Sequence, residues 1–577
     1  MFFILFLVTF SFSFYESVEF PNENSYSGNL GSISITVSPL NLYYEQSQIV
    51  GPLIELTALN NLNSTDNLFL FMESGTHKYS YEYYLSPHEF LKVYLSLNDS
   101  VLNANIIYIN FSYSSFKKTV EINIKNTIIP FLAEVSLLLS IVSYMLFIFL
   151  FEETKKFIPY LILFAFFLIS PFLGQRYDMY FMIASPLHII QNVNPFLASK
   201  YIPGGLKWEY PPLYLYYGVA VEFIISHMNI IRFPTNIIYP GVIWNYNSMA
   251  WRGFVTGYLP LLYLIMKIPM IMSTFLIFII LKNETSKLNI TKLWLLNPAV
   301  ILIGVIWGQI DVIAALMMLF SIVQLRKGNT HIASISATVG AFVKIFPVFI
   351  IPLILIRSKN KLRDLILVAT VSLASIIPYF MFGNFKQNIM ELAYSRSVPT
   401  YNNIFSSNGI TWQIILGDIG VKNFPSLGLI VFLPAFIIIV YLYWRRKMDT
   451  NITIIMIFSI FFMTYNYVNP QYFILVIPIF LMMKEIKLFI IYSAIPSIYV
   501  FLTYTLPYFV NPYISYNYFS SYLGQIEHVR QYVTSSYPIL WTFIIISTGI
   551  YFLTFLWSIK RSSGFSRDNP PDSVILS

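Results

Sequence analysis

The sequence predicts a polytopic α-helical membrane protein, with about 13 transmembrane helices following an N-terminal extracytoplasmic β-sandwich domain. Three observations predict this. Of 577 residues, 56% are hydrophobic and 18% aromatic, while 11% are charged, against about 25% charged in an ordinary soluble domain. From residue 128 onward, uncharged apolar segments succeed one another. Before that point the chain is polar and alternating. Mean hydropathy is +0.65. These features exclude a disordered, collagen-like or plain soluble protein. The net charge of +8 fits cytoplasmic loops better than nucleic-acid binding, because Lys and Arg collect on that side of a membrane. With no cysteine, disulfides, thiolate metal sites and cysteine nucleophiles are excluded.

Residues 1–14 are apolar but too short to span a bilayer comfortably. They fit the core of a secretory signal without its basic n-region, so residues 1–16 are read as a signal peptide or signal anchor. Residues 20–126 are rich in Asn, Ser and Tyr. Ser32 to Val37, Ile107 to Tyr113 and Thr119 to Ile124 alternate apolar with polar residues, the pattern of half-buried strands. Clusters such as Asn60 to Ser64 separate the runs, and together they predict the sandwich. Sequons at Asn63, Asn98 and Asn110 suit an exported surface as well as chance in an Asn-rich segment. Residues 128–560 form the multi-span domain, and residues 561–577 a polar cytoplasmic tail.

Orientation follows from basic clusters in short loops: Lys155-Lys156, Lys282/Lys287/Lys292, Arg326-Lys327, Arg357 to Arg363, Arg445 to Lys447, Lys484/Lys487 and Lys560-Arg561. Placing all of them in the cytoplasm gives a consistent alternation. The β-domain is then outside, as are three long loops, 175–257, 383–426 and 508–536. Function is sought in those loops and at the outer turns, because polar groups and irregular backbone cannot face lipid.

Four clusters stand out there. In the first outer loop Asp178 follows the end of a span. An amphipathic stretch, Met179 to Ile190, suited to the interface, comes next. Trp208-Glu209-Tyr210-Pro211-Pro212-Leu213 then starts an apolar run, as prolines do in a helix's first turn. The second cluster is Asn297-Pro298 with Trp307-Gly308-Gln309-Ile310-Asp311. Asp311 lies between two uncharged runs, and a carboxylate there is costly unless it faces water or a partner. The third is Lys344-Ile345-Phe346-Pro347. Its lysine falls at the outer face, where topology does not account for it and an anionic headgroup would. Arg396, before Asn402 to Ser406, is either a phosphate clamp or an ordinary loop arginine. The fourth is Asn469-Pro470-Gln471-Tyr472-Phe473. Lys267 reads as a snorkelling lysine. His528 and Arg530 carry less weight. No metal site is expected: the six histidines are scattered, without helical ligand spacing to a carboxylate.

This ordered set resembles the GT-C superfamily of membrane glycosyltransferases. It is similar to the GPI mannosyltransferase I catalytic subunit and to archaeal and bacterial mannosyltransferase-like proteins carrying Trp-Gly-Gln-Ile-Asp. The resemblance covers roughly residues 155–560 and leaves the β-domain outside. It implies an inverting transfer of a hexose, expected to be mannose, from a polyprenyl- or dolichyl-phosphate donor. The acceptor would be a glycan or glycolipid at the extracytoplasmic face of the plasma membrane, or of the endoplasmic reticulum in a eukaryote. The catalytic acidic residue of the first outer loop would be Asp178. The GPI enzyme carries Asp-x-Asp in that loop, whereas this chain has Asp178-Met179-Tyr180, so the metal role attached to that pattern is not carried over and no cofactor is expected. In this reading Asp178 takes the acceptor's proton. Lys344 and Arg396 hold the donor phosphate. Trp307, Gln309, Asp311, Tyr210, Gln471 and Tyr472 bind substrate or orient the loops. A transporter or flippase for lipid-linked saccharides is the alternative, though no internal repeat is evident.

Overall fold

In the computed structural model the described residues are the strands between 26 and 123, together with 158–190, 208, 210–228, 259–285, 288–381, 410, 415, 425–465, 468–503 and 537–564. The expected signal segment, Arg396, Asn402 to Ser406, His528, Arg530 and the tail beyond 564 lie outside them.

The described residues of the polar segment form ten strands, among them β1 (Tyr26–Leu30), β3 (Tyr43–Glu45), β4 (Gln48–Val50), β5 (Leu53–Asn60), β6 (Asp66–Ser74), β7 (His77–Leu85) and β8 (Phe90–Ser96). Of the alternating runs, Ile33 to Val37, Ile107 to Tyr113 and Thr119 to Asn123 fall within β2 (Ile33–Leu40), β9 (Ile106–Tyr113) and β10 (Phe116–Asn123), while Ser32 and Ile124 lie outside the described residues. Two four-stranded antiparallel sheets result, in the orders β1-β2-β5-β8 and β10-β9-β6-β7. β3 and β4 pair separately. Ile35 of β2 lies opposite Ala58 of β5, and both are buried. This pairing shows the inward face that period-two alternation creates.

From residue 158 the described chain is mostly helical. Its first helices are α1 (Ile158–Ile169), α2 (Arg176–Ile190), α3 (Leu213–His227), α4 (Leu259–Thr285) and α5 (Leu288–Leu295). Pro298–Val300 then runs into a π-helical stretch, Ile301–Trp307. Next come α6 (Asp311–Arg326), α7 (Thr330–Val343), a 3-10 turn at Phe346–Ile350, and α8 (Ile351–Arg357). They are followed by α9 (Lys361–Met381), α10 (Pro425–Arg446) and α11 (Thr450–Thr464). A second 3-10 turn, Pro470–Leu475, leads to α12 (Ile477–Met482), α13 (Ile486–Thr503) and α14 (Tyr537–Gly564).

The exterior is apolar. Leu373 on α9, Ile437 on α10 and Leu553 on α14 are 65%, 64% and 64% exposed. Such a surface would be costly in water and suits lipid. Among the described residues, two helices are long and apolar enough to cross a bilayer, Pro260–Thr285 and Trp541–Ser562, and seven further apolar helices run for 10–17 residues. The chain breaks its apolar runs at polar positions. The breaks come at Trp307-Gly308-Gln309, at Lys344-Ile345 and at Asn469-Pro470, three of the four clusters singled out by sequence.

The stretch after Asp178 differs from its expectation. Met179, Phe181, Met182, Ile183, Ala184 and Leu187 are all buried. α2 is therefore packed inside the protein rather than lying amphipathically in the interface. Its Pro186 presses on Gly218 of α3, where a Cβ would stand 2.5 Å from the proline ring. The paired prolines do precede a helix, with Pro212 at the N-cap of α3.

α3 is fastened to α4 through a proline. Pro269 has no N–H to offer the Ile265 carbonyl one turn back. The Tyr217 hydroxyl donates to that carbonyl at 2.7 Å, and the Tyr214 hydroxyl to Met266 O at 2.8 Å. Tyr217→Phe is expected to destabilise the protein by about 1 kcal/mol, the usual net worth of a hydrogen bond, here a partly buried one. In a Pro269→Ala background the helix supplies its own donor. There the same change should cost clearly less, which thermal melts of the four proteins in detergent would measure.

Candidate active site

Asp178 sits in the first turn of α2. Gln175 stands at the N-cap position, and its Oε1 accepts the Asp178 N–H at 2.6 Å. The Gln175 N–H reaches Trp307 O at 3.4 Å. The loop carrying the carboxylate is thus tied to the end of the π-helix. That end turns on Gly308, whose φ of +82° is left-handed and favours glycine. A Cβ there would come within 2.9 Å of Lys267 Cε and 3.1 Å of Met179 Sδ. Gln309 N–H closes the turn on Ile303 O at 3.0 Å.

The turn delivers two donors to one acceptor. Trp307 Nε1 donates to Asp178 Oδ2 at 2.6 Å, and Gln309 Nε2 donates to the same oxygen. None of these bonds uses Oδ1. Asp178 is 7% exposed. Burial pushes its carboxyl pKa up to about 6. The Trp307 hydrogen bond, the nearby Lys344 charge and the Gln309 hydrogen bond oppose the rise, while the Asp311 charge adds to it. A carboxylate of that basicity, with one oxygen fixed, suits proton transfer near neutral pH.

The second element is an ion pair. Asp311 opens α6 and Lys344 ends α7 in extended conformation. Lys344 Nζ lies 3.0 Å from Asp311 Oδ2, and both side chains are buried. The ammonium also lies 4.0 Å from the Tyr210 ring centre and 5.8 Å from that of Tyr472, so two aromatic faces shield it. Tyr210 is edge-on to Trp208 and to Phe181, and those two stack at 4.8 Å. Phe346, two residues past Lys344, packs on Tyr472 at 4.5 Å.

Most sequence-selected residues therefore converge. Trp307 and Gln309 meet Asp178; Asp311, Tyr210 and Tyr472 surround Lys344. Gln471 shares the 3-10 turn of Tyr472 and is buried. Oε1 of Gln309 and Oε1 of Gln471 have no hydrogen-bond partner among the described residues. They are acceptors that a ligand's hydroxyls would satisfy. Asn297 plays a structural part. Its Oδ1 accepts the Ala299 N–H and its Nδ2 donates to Ser493 Oγ. Among the described residues no group of three or more His, Cys, Asp or Glu side chains comes together. Sequence reasoning missed Gln175, since glutamine is not a favoured cap. It also misread Lys267, which does not snorkel but is fully buried.

Residues 249–464 match the model of glycosyltransferase family 87. That is a GT-C-like family of membrane glycosyltransferases. The matched segment is under half of the chain. It holds Trp307, Gln309, Asp311, Lys344 and Arg396, while Asp178, Tyr210, Gln471 and Tyr472 lie outside it. The match supports glycosyltransferase activity, with a sugar donor and an acceptor as substrates and with membrane association. No curated protein matches the chain.

Proposed function

We propose that this protein transfers a hexose, mannose in the first instance, from a polyprenyl- or dolichyl-phosphate donor to a glycan or glycolipid acceptor. One observation carries the proposal: a buried carboxylate, held on one oxygen by Trp307 and Gln309, in a chain whose 249–464 segment matches a glycosyltransferase family. The acceptor hydroxyl gives its proton to Asp178 as its oxygen attacks the anomeric carbon. The sugar–phosphate bond breaks on the opposite face, which inverts that centre. Lys344, with Arg396 second, stabilises charge on the departing lipid phosphate. Gln309, Asp311, Gln471, Tyr210 and Tyr472 position the sugar. A phosphate is already a good leaving group, so the site needs a base and a cation more than an acid.

The topology belongs to the same proposal. About 13 spans carry an outer β-sandwich of residues 20–126 behind a signal segment, and the site faces outward. The likeness to the GPI mannosyltransferase I subunit supplies the expectation of mannose. Interrupted helices are also a device of transporters, which favours a saccharide flippase as the second reading. Purified protein in detergent, given radiolabelled dolichyl-phosphate mannose or glucose and a glycolipid extract, separates the two. Net sugar transfer without a sealed membrane is expected. Its absence with both donors, together with donor translocation in vesicles, would establish the flippase instead.

A further inference from the structure

Lys267 lies in the first half of α4 and is fully buried. Its Nζ is 3.2 Å from Ser170 O, 3.1 Å from Val305 O and 3.1 Å from Ile306 O, and it also bonds Leu173 O. Two of these carbonyls belong to the turn between α1 and α2. The other two close the π-helix, where terminal carbonyls lack partners in the helix itself. The first turn carries Gln175, which caps α2 at Asp178. The second segment ends in Trp307 and leads to Gln309, the two donors to Asp178. One ammonium therefore joins both walls of the carboxylate's site, and Gly308 leaves room for its stem. A lysine sequestered this way is not needed to hold two helices together, since apolar packing would do that more cheaply.

We propose that Lys267 is a positioning residue, clamping the Gln175 turn to the Trp307–Gln309 turn so that both donors stay on Oδ2 of Asp178. The role rests on reading Asp178 as the base. Trp307 and Gln309 hold the Asp178 charge in place, and Lys344 and Asp311 are the charged groups that act on it. Loosening the clamp should therefore weaken the two donors while leaving the ion pair intact.

The test is Lys267→Met in the full-length protein in detergent. Two readouts are taken. The first is the pH titration of Trp307 fluorescence, obtained as the difference from the matching Trp307→Phe protein. The second is the pH profile of sugar transfer. In the wild type the Trp307 signal should titrate with Asp178 and vanish in Asp178→Asn. In Lys267→Met it should move upward by about half a pH unit or more, because the lost donors had favoured the charged form. Transfer at the plateau should fall about tenfold or more in kcat with KM little changed, the mark of lost orientation. Lys267→Arg, which retains donors, should recover part of both. An unmoved titration and unmoved kcat in folded Lys267→Met would overturn the clamp. Should Lys267→Met not fold, Lys267→Gln is read by the same titration. The two proposals fail separately. An active Asp178→Asn with a shifted Trp307 titration in Lys267→Met removes the base and leaves the clamp. An inactive Asp178→Asn with an unshifted titration does the reverse.

Discussion

Asp178→Asn should lower the rate of sugar transfer about 10²–10⁴-fold, the usual contribution of a positioned general base. Asparagine matches aspartate in size and keeps an oxygen to accept from Trp307 and Gln309. The fold around α2 should therefore survive, and the loss should appear in kcat rather than KM. The wild-type enzyme makes a linked prediction. A base must be deprotonated to act, and Asp178 has its pKa raised to about 6 by burial. Transfer should therefore fall as pH drops through that value and level off above it. Asp178→Asn should lack that acidic limb in whatever activity remains. Wild-type turnover in the variant, or a limb near the ordinary carboxylate range, would remove Asp178 from the chemistry.

The parts of this site legible in the sequence were those where an expensive residue had no topological excuse. Asp311 and Lys344 each interrupt an apolar run, and the cost of burying a lone charge is what singled them out. It also meant each needed a partner, and the structure gives each the other at 3.0 Å. That pairing joins the start of α6 to the end of α7, a relation no local pattern encodes. Lys267 was equally anomalous but was assigned to snorkelling, because a lysine stem reaches an interface as readily as it reaches a buried carbonyl. The relevant carbonyls belong to segments far along the chain, and backbone acceptors have no sequence signature. The π-helical character of Ile301–Trp307 has no sequence signature either, because hydropathy sums apolar residues without registering where the hydrogen-bond ladder changes. The strands were legible because alternation itself defines the buried face, as Ile35 and Ala58 illustrate.

The Lys344–Asp311 pair allows its structural and catalytic parts to be separated. Lys344→Met alone should both destabilise the protein and abolish transfer. Removing one member of a buried pair leaves the other charge unpaired, at a cost of about 3–5 kcal/mol. Loss of activity in that variant is therefore uninformative by itself. The double variant Lys344→Met/Asp311→Asn removes both charges, and replacing a buried pair by neutral groups of similar volume is often close to neutral. Its melting temperature should recover most of the loss. Its transfer rate should not, because the cation beside Tyr210 and Tyr472 is what would meet the leaving phosphate, a contribution of about 10²–10³-fold for one preorganised group. Lys344→Arg keeps the charge, but its larger guanidinium must be accommodated where a compact ammonium is buried against Asp311. It should fall between the wild type and the double variant in rate. A double variant that is stable and fully active would leave the pair a structural contact alone and move the phosphate site elsewhere.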